Sequence, residues 1–94
     1  MHKLNILRTN RFKKNFKRVS NWPKFNRNSL EYILEKLSNL EKLDIKYRDH
    51  QLNGGMKDYR ECHIQSDILL IYEIKKDELI LLLIDIGSHS EMFG

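Results

Sequence analysis

Between Asp49 and Asp67 the chain reads DHQLNGGMKDYRECHIQSD, two histidines, a lone cysteine and several carboxylates in nineteen residues. A third histidine, His89, follows the last apolar run. Histidine titrates near neutral pH, so two of them can serve one reaction as base and acid. Cleavage of an RNA strand needs that pair. A base takes the proton of a 2′-hydroxyl, the oxygen attacks the adjacent phosphate, and an acid protonates the departing 5′-oxygen. Only RNA carries the 2′-hydroxyl, so the substrate of such a site is RNA and not DNA. A carboxylate such as Glu61 or Asp67 can orient a histidine and raise its basicity. Zinc is the chemical competitor, with His50, Cys62, His63 and His89 as eligible ligands. The spacing speaks against it. There is no C-x₂-C and no H-x₃₋₅-H, and Cys62 and His63, adjacent on a strand, face opposite ways. No metal or other cofactor is expected. Each residue also has a plain reading: a solvated histidine, a hairpin aspartate at Asp67, a small buried apolar residue at Cys62.

These side chains need elements to hold them. KLNILR, residues 3–8, alternates as a short strand. Thr9 or Asn10 can cap a helix in which Phe12, Phe16 and Val19 recur at i, i+4, i+7. SNWP, residues 20–23, ends it, because proline disfavours helix at the residue before. A second helix carries Leu30, Ile33, Leu34, Leu37 and Leu40 as one apolar stripe, with Asn28 and Glu31 spaced as a capping box. Residues 44–58 show no period, and Gly54-Gly55 marks a turn. A loop that long in a small domain is usually functional, and His50 falls in it. Three strands follow, YRECHIQ, DILLIYEIK and ELILLLIDI, joined by short links that favour antiparallel neighbours. In the first, Tyr59, Glu61, His63 and Gln65 point one way, while Arg60, Cys62 and Ile64 point to the helices. The tail GSHSEMFG can form a helical turn capped by Ser88. The predicted class is α+β: strand, two helices, then three antiparallel strands, with the helices on one sheet face.

The totals bound the function. Ninety-four residues, 40% hydrophobic and 32% charged, suit one globular domain over 1–94. No apolar run approaches the roughly 20 residues that span a bilayer, so no membrane association is expected. One cysteine and no visible signal peptide point to a reducing cytoplasm. The net charge of +4 hides an asymmetry. Residues 1–30 hold nine Lys/Arg and no Asp/Glu, and the remainder carries a net −5. A basic half of that strength suits a polyanion or an acidic protein partner.

YRDHQLNGGMKDYRECHIQSDILLIYEI, residues 47–74, and the ending IGSHSEMFG resemble the YafQ-type mRNA interferase toxins of the RelE/ParE superfamily. The family pattern is roughly YKDHxLxGxxxxYRxxHxxxDxLLIY followed by GTHxxLF. The resemblance implies a ribosome-dependent endoribonuclease that cuts translated mRNA in the ribosomal A site. It implies a cognate antitoxin of the DinJ/RelB type, and operator DNA met only through that antitoxin. Carried over, the functional positions are His50, Glu61, His63, Asp67 and His89. His50 would be the base and His89 the acid, with the other three orienting them. Phe93 would stack on a base. Lys13 and Lys17 of the basic helix, with Arg48 and Lys57, would contact RNA phosphates. One position departs from the pattern: Asp85 stands where the family often has arginine, and a bare aspartate there repels a phosphate. Arg48, Lys57 or Arg60 would have to compensate, or ribosomal RNA and the basic helix would have to do the anchoring. Without compensation the chain would be a non-catalytic or weak member that binds antitoxin and nucleic acid.

Overall fold

Thr9 decides where the first helix begins. The computed structural model describes residues 3–93, with side chains as far as Met92. After strand β1 (Asn5–Arg8), Thr9 accepts the Phe12 amide on its hydroxyl at 3.0 Å and so caps α1 (Asn10–Val19). A cap of this kind stabilises by about 1 kcal/mol. The same hydroxyl donates to the Ile84 carbonyl at 2.8 Å, which ties the helix start to the sheet. Phe12 and Val19 are buried and Phe16 packs against the core, as the i, i+4, i+7 spacing predicts.

The second helix, α2 (Arg27–Ser38), starts two residues before the capping box predicts. Asn26, not Asn28, accepts the Ser29 amide. The reason is tertiary: the Gln65 side chain accepts the Asn26 amide at 2.7 Å and fixes the cap from a distant strand. Leu30, Ile33 and Leu37 are buried and Leu34 is half-buried. Leu40 leaves the stripe. The helix closes at Ser38, and Leu40 takes a left-handed φ of 60°. There its amide meets the Leu37 carbonyl and the Glu41 amide meets the Lys36 carbonyl, the pairing of a Schellman closure.

Residues 44–58, predicted as a loop, contain three short elements: a 3-10 turn at Ile45–Tyr47, a two-residue strand β2 (His50–Gln51) and a 3-10 turn at Gly54–Met56. His50 therefore sits on an edge strand and not in a loop. A strand of two residues is too short to show a period, which is why the sequence hides it. Then come β3 (Arg60–Gln65), β4 (Ile68–Lys75), β5 (Ile80–Gly87) and α3 (His89–Phe93).

The five strands form one sheet in the order β1-β5-β4-β3-β2. β2, β3, β4 and β5 pair antiparallel in turn, and β1 lies parallel to β5. The core fills one face, where Phe12, Val19, Leu30, Ile33 and Leu37 of the helices meet Cys62, Ile64, Leu70, Tyr72, Leu81, Leu83 and Ile86. On the other face the register sets His50, Glu61, Ile71 and Asp85 in one row, and His63, Leu69 and Gly87 in the next. A bulge makes the first row. Tyr72 pairs with Leu83 and Ile71 with Asp85, so Ile84 is one residue extra on β5. Without it, strict alternation would send Asp85 into the core with Leu81 and Leu83. Among the described residues no helix is long and apolar enough to cross a membrane.

Candidate functional site

Glu61 is the centre of the open face. Its side chain is 7% exposed, and two imidazoles converge on its Oε1: His50 Nε2 at 3.5 Å and His63 Nε2 at 4.0 Å. Alternation along β3 aligns Glu61 with His63, as the sequence predicts, and cross-strand pairing brings His50 opposite Glu61. The inward turn of Cys62 is equally as predicted: it is fully buried in the core, and burial pushes its thiol pKa up, helped by the charges of Asp49 and Glu61.

The His50 ring is also held from behind. Its Nδ1 lies 2.7 Å from the Arg48 carbonyl. A carbonyl only accepts, so Nδ1 carries a hydrogen and Nε2 is the nitrogen free to gain and lose a proton. Arg48 itself takes a left-handed φ of 51°. Its neighbour Asp49 is anchored twice, by Arg60 at 3.3 Å and by the hydroxyl of the fully buried Tyr72. Burial, with Asp49, holds the Tyr72 phenol well above its ordinary range. Arg60 and Tyr72 thus clamp Asp49, the residue before His50, to the sheet. Arg60 is spent on this clamp.

His63 is pushed towards its neutral form. Burial lowers its pKa first. The positive charges of Arg48, His50 and His89 push the same way, against the pull of Glu61. The same balance places His89, the first residue of α3, in the electrostatic neighbourhood of His63. A reciprocal capping box sets α3 in place. The Glu91 amide donates to Ser88 Oγ at 3.2 Å, and the Ser88 amide donates to Glu91 Oε1 at 2.9 Å. Ser88 is the cap the sequence predicts.

The remaining predicted positions are more scattered. Asp67 is exposed in the two-residue turn between β3 and β4 and makes no hydrogen bond or ion pair among the described residues. Lys57 is exposed and ends the Gly54–Met56 turn. Phe93 closes α3, and its side chain lies outside the described residues. Lys13 and Lys17 line a shallow groove with Arg8, Phe12 and Phe16 on the helix side. A larger cleft of about 610 Å³ opens beside His63 and Arg48, walled by Asn28, Ser29, Lys46 and Tyr47, so both residues border open space.

Asp85 is not the bare charge the sequence suggests. It is 5% exposed, accepts hydrogen bonds from Asn15 Nδ2 at 2.6 Å and from its neighbour's amide, Ile86, at 2.8 Å, and pairs as an ion with Arg11, whose Nε lies 3.1 Å away. Arg18, on the same helix flank, pairs with Glu91 of α3. The sequence reading missed this flank, although Arg11, Asn15 and Arg18 recur at i, i+4, i+7 as clearly as the apolar stripe does.

Among the described residues no three His, Cys, Asp or Glu side chains are placed to hold a metal ion. His50 and His63 stand around Glu61, and the remaining sulfur donor the sequence offers, Cys62, points into the core.

The chain is similar to known toxins. The mRNA interferase toxin YafQ of Escherichia coli strain K12 is 35% identical over 68 residues, 71% of this chain and 72% of that protein. A metal-bound toxin from Helicobacter pylori superposes with a TM-score of 0.87 at 42% identity, covering 96% of this chain and 99% of that one. YafQ in the E. coli DinJ–YafQ toxin–antitoxin complex superposes with a TM-score of 0.84 at 29% identity, covering 98% and 99%. Residues 4–94 match the family described as the YafQ bacterial toxin of type II toxin–antitoxin systems, and the chain belongs to that family.

Proposed function

We propose that this toxin is an mRNA endoribonuclease that works on the ribosome and cuts by histidine–carboxylate chemistry without a metal. The observation that carries the proposal is the convergence of His50 and His63 on one buried carboxylate oxygen, with His89 close enough to bear on the charge of His63. Relatives named mRNA interferase toxin support the substrate class.

His50 offers Nε2 as the base. It takes the proton of the 2′-hydroxyl, and the oxygen attacks the adjacent phosphorus. The bond from phosphorus to the 5′-oxygen breaks, and His89 donates the proton that the leaving oxygen needs. The products are a 2′,3′-cyclic phosphate and a 5′-hydroxyl, and solvent returns the proton from His50 to His89. Glu61 balances the imidazolium that forms on His50. Neutral His63 orients the attacking group. Asp67, unpaired in its turn, aligns a histidine or a ribose hydroxyl once RNA is in place. Arg48 and Lys57 hold phosphates and Phe93 stacks on a base. Lys13 and Lys17 meet ribosomal RNA through salt-sensitive phosphate contacts. The site of action is then the cytoplasm, and an antitoxin of the DinJ/RelB type is the neutralising partner through which operator DNA is met.

The rival reading, a non-catalytic module that only binds antitoxin and nucleic acid, drew on Asp85 as an unpaired negative charge. The pairing of Asp85 with Arg11 at 3.1 Å speaks against it.

Primer extension on a message translated by purified ribosomes is the test. Added toxin is expected to give discrete stops that persist with a transition-metal chelator sparing magnesium. They are expected to vanish in folded His50→Ala and His89→Ala. No stops from the wild type would sink the ribonuclease reading, and stops abolished by the chelator would sink the metal-free one.

A further inference from the structure

We propose, on the ribonuclease reading of this sheet face, that Arg11 is a phosphate-binding residue of the site and that the buried carboxylate of Asp85 is the residue that positions it. The bulge at Ile84 puts Asp85 in the same row as Glu61, with only Ile71 between them. Two strand spacings separate the pair, about 10 Å, a span that a short stretch of single-stranded RNA covers. Asp85 is held by two hydrogen bonds and an ion pair from two elements, so its position is over-determined. A carboxylate kept that far from water is costly unless it is both paired and hydrogen-bonded, and here it is both.

The cation it grips is turned outward. The Arg11 side chain is 73% exposed, and it meets Asp85 through Nε. Its two terminal nitrogens make no hydrogen bond among the described residues, which leaves the end of the guanidinium fork for a ligand. A fork of that shape matches two phosphate oxygens. An unheld surface arginine loses much rotamer freedom when it binds, and Asp85 has already removed part of that freedom. The pair is neutral as a whole, but its solvent-facing half is the positive one. That reverses the expectation from Asp85 alone, which was repulsion.

The test separates this assignment from the ribonuclease reading. Full-length toxin is titrated with a 2′-O-methylated single-stranded RNA decamer, which cannot be cleaved, over a range of salt. Cleavage on the ribosome is measured in parallel as kcat and KM. Arg11→Ala is expected to weaken decamer binding roughly tenfold and to lower the salt slope by about 0.7. Lys76→Ala, which removes an equal charge in the β4–β5 turn, is expected to do neither. Asp85→Asn keeps most of the hydrogen bonding but loses the ion pair, and is expected to weaken binding part of the way. It should add nothing once Arg11 is alanine. Arg11→Lys should not restore binding, because an ammonium lacks the fork. Thermal unfolding confirms that each variant is folded. Binding by Arg11→Ala at wild-type strength, or an equal loss in Lys76→Ala, overturns the phosphate contact. Wild-type binding by Asp85→Asn overturns the positioning role. If the wild type never cleaves but Arg11→Ala still loses the decamer, the ribonuclease reading fails and the phosphate contact stands.

Discussion

At His63 the protein holds an imidazole in a setting that favours its neutral form. Burial does most of this, and Arg48, His50 and His89 add to it while Glu61 opposes. The folded pKa is thus below the unfolded value, so between the two the unfolded chain binds more protons. This group's contribution to stability is complete above the unfolded pKa of about 6.5. It is lost as pH falls through that value towards the folded one, and no more is lost below it. Urea midpoints measured at pH 7.5 and at pH 5 are expected to drop less in His63→Gln than in the wild type. An equal drop in both would sink the assignment. Tyr72 tests a second residue. Removing its hydroxyl leaves Asp49 with Arg60 alone and breaks one half of the clamp behind His50. Tyr72→Phe is expected to cost about 1–3 kcal/mol in chemical denaturation, the range for breaking a hydrogen bond to a charged group. It should also lower kcat more than it raises KM, since the base is what loses its anchor.

Among the elements, α3 is the one most dependent on a single contact set. Its five residues are too few to be helical without the Ser88–Glu91 box and the Arg18 ion pair. The Ser88 contacts and Arg18 hold the Glu91 carboxyl below the usual range despite some burial. Ser88→Ala is expected to cost about 0.5–2 kcal/mol locally. The readout is faster amide exchange confined to α3 together with reduced cleavage, because His89 is carried on its first turn. Exchange that rises equally across β4 and β5 would mean that α3 is part of the global fold and not a separately stabilised element. This element was legible in the sequence, as were α1, the three long strands and the Glu61–His63 pairing, because each rests on local spacing. The cap of α2 was misplaced because Gln65 fixes it from 39 residues away. The strand at His50 was missed because two residues carry no period. The face of Asp85 was unreadable for a different reason: the bulge at Ile84 breaks the alternation inside a continuous apolar run, where nothing in the residue types marks it.

Over the whole molecule, the basic half of the sequence becomes two separate flanks of α1. Phe12, Phe16 and Val19 turn inward, and around them the helix period sends Arg11, Asn15 and Arg18 to one side and Lys13 and Lys17 to the other. The first flank meets Asp85 and Glu91 at the site face, and the second lines the groove with Arg8 on the helix side. One charge count therefore hides two roles. On the proposed function, the flank at Asp85 acts where the bond is cut, whereas Lys13 and Lys17, on the other side of the helix, serve docking on ribosomal RNA. Docking is a long-range electrostatic effect that steers association and is screened by salt. The double variant Lys13→Ala, Lys17→Ala is expected to raise KM on translating ribosomes, with the gap from wild type narrowing as salt rises. Its kcat should stay within about twofold, because neither side chain touches the reacting atoms. Arg11→Ala should do the opposite at saturating ribosomes and lower kcat. A double variant that lowers kcat at unchanged KM would place the second flank at the chemistry after all, and with it the division of α1 into a docking side and a phosphate side would fall.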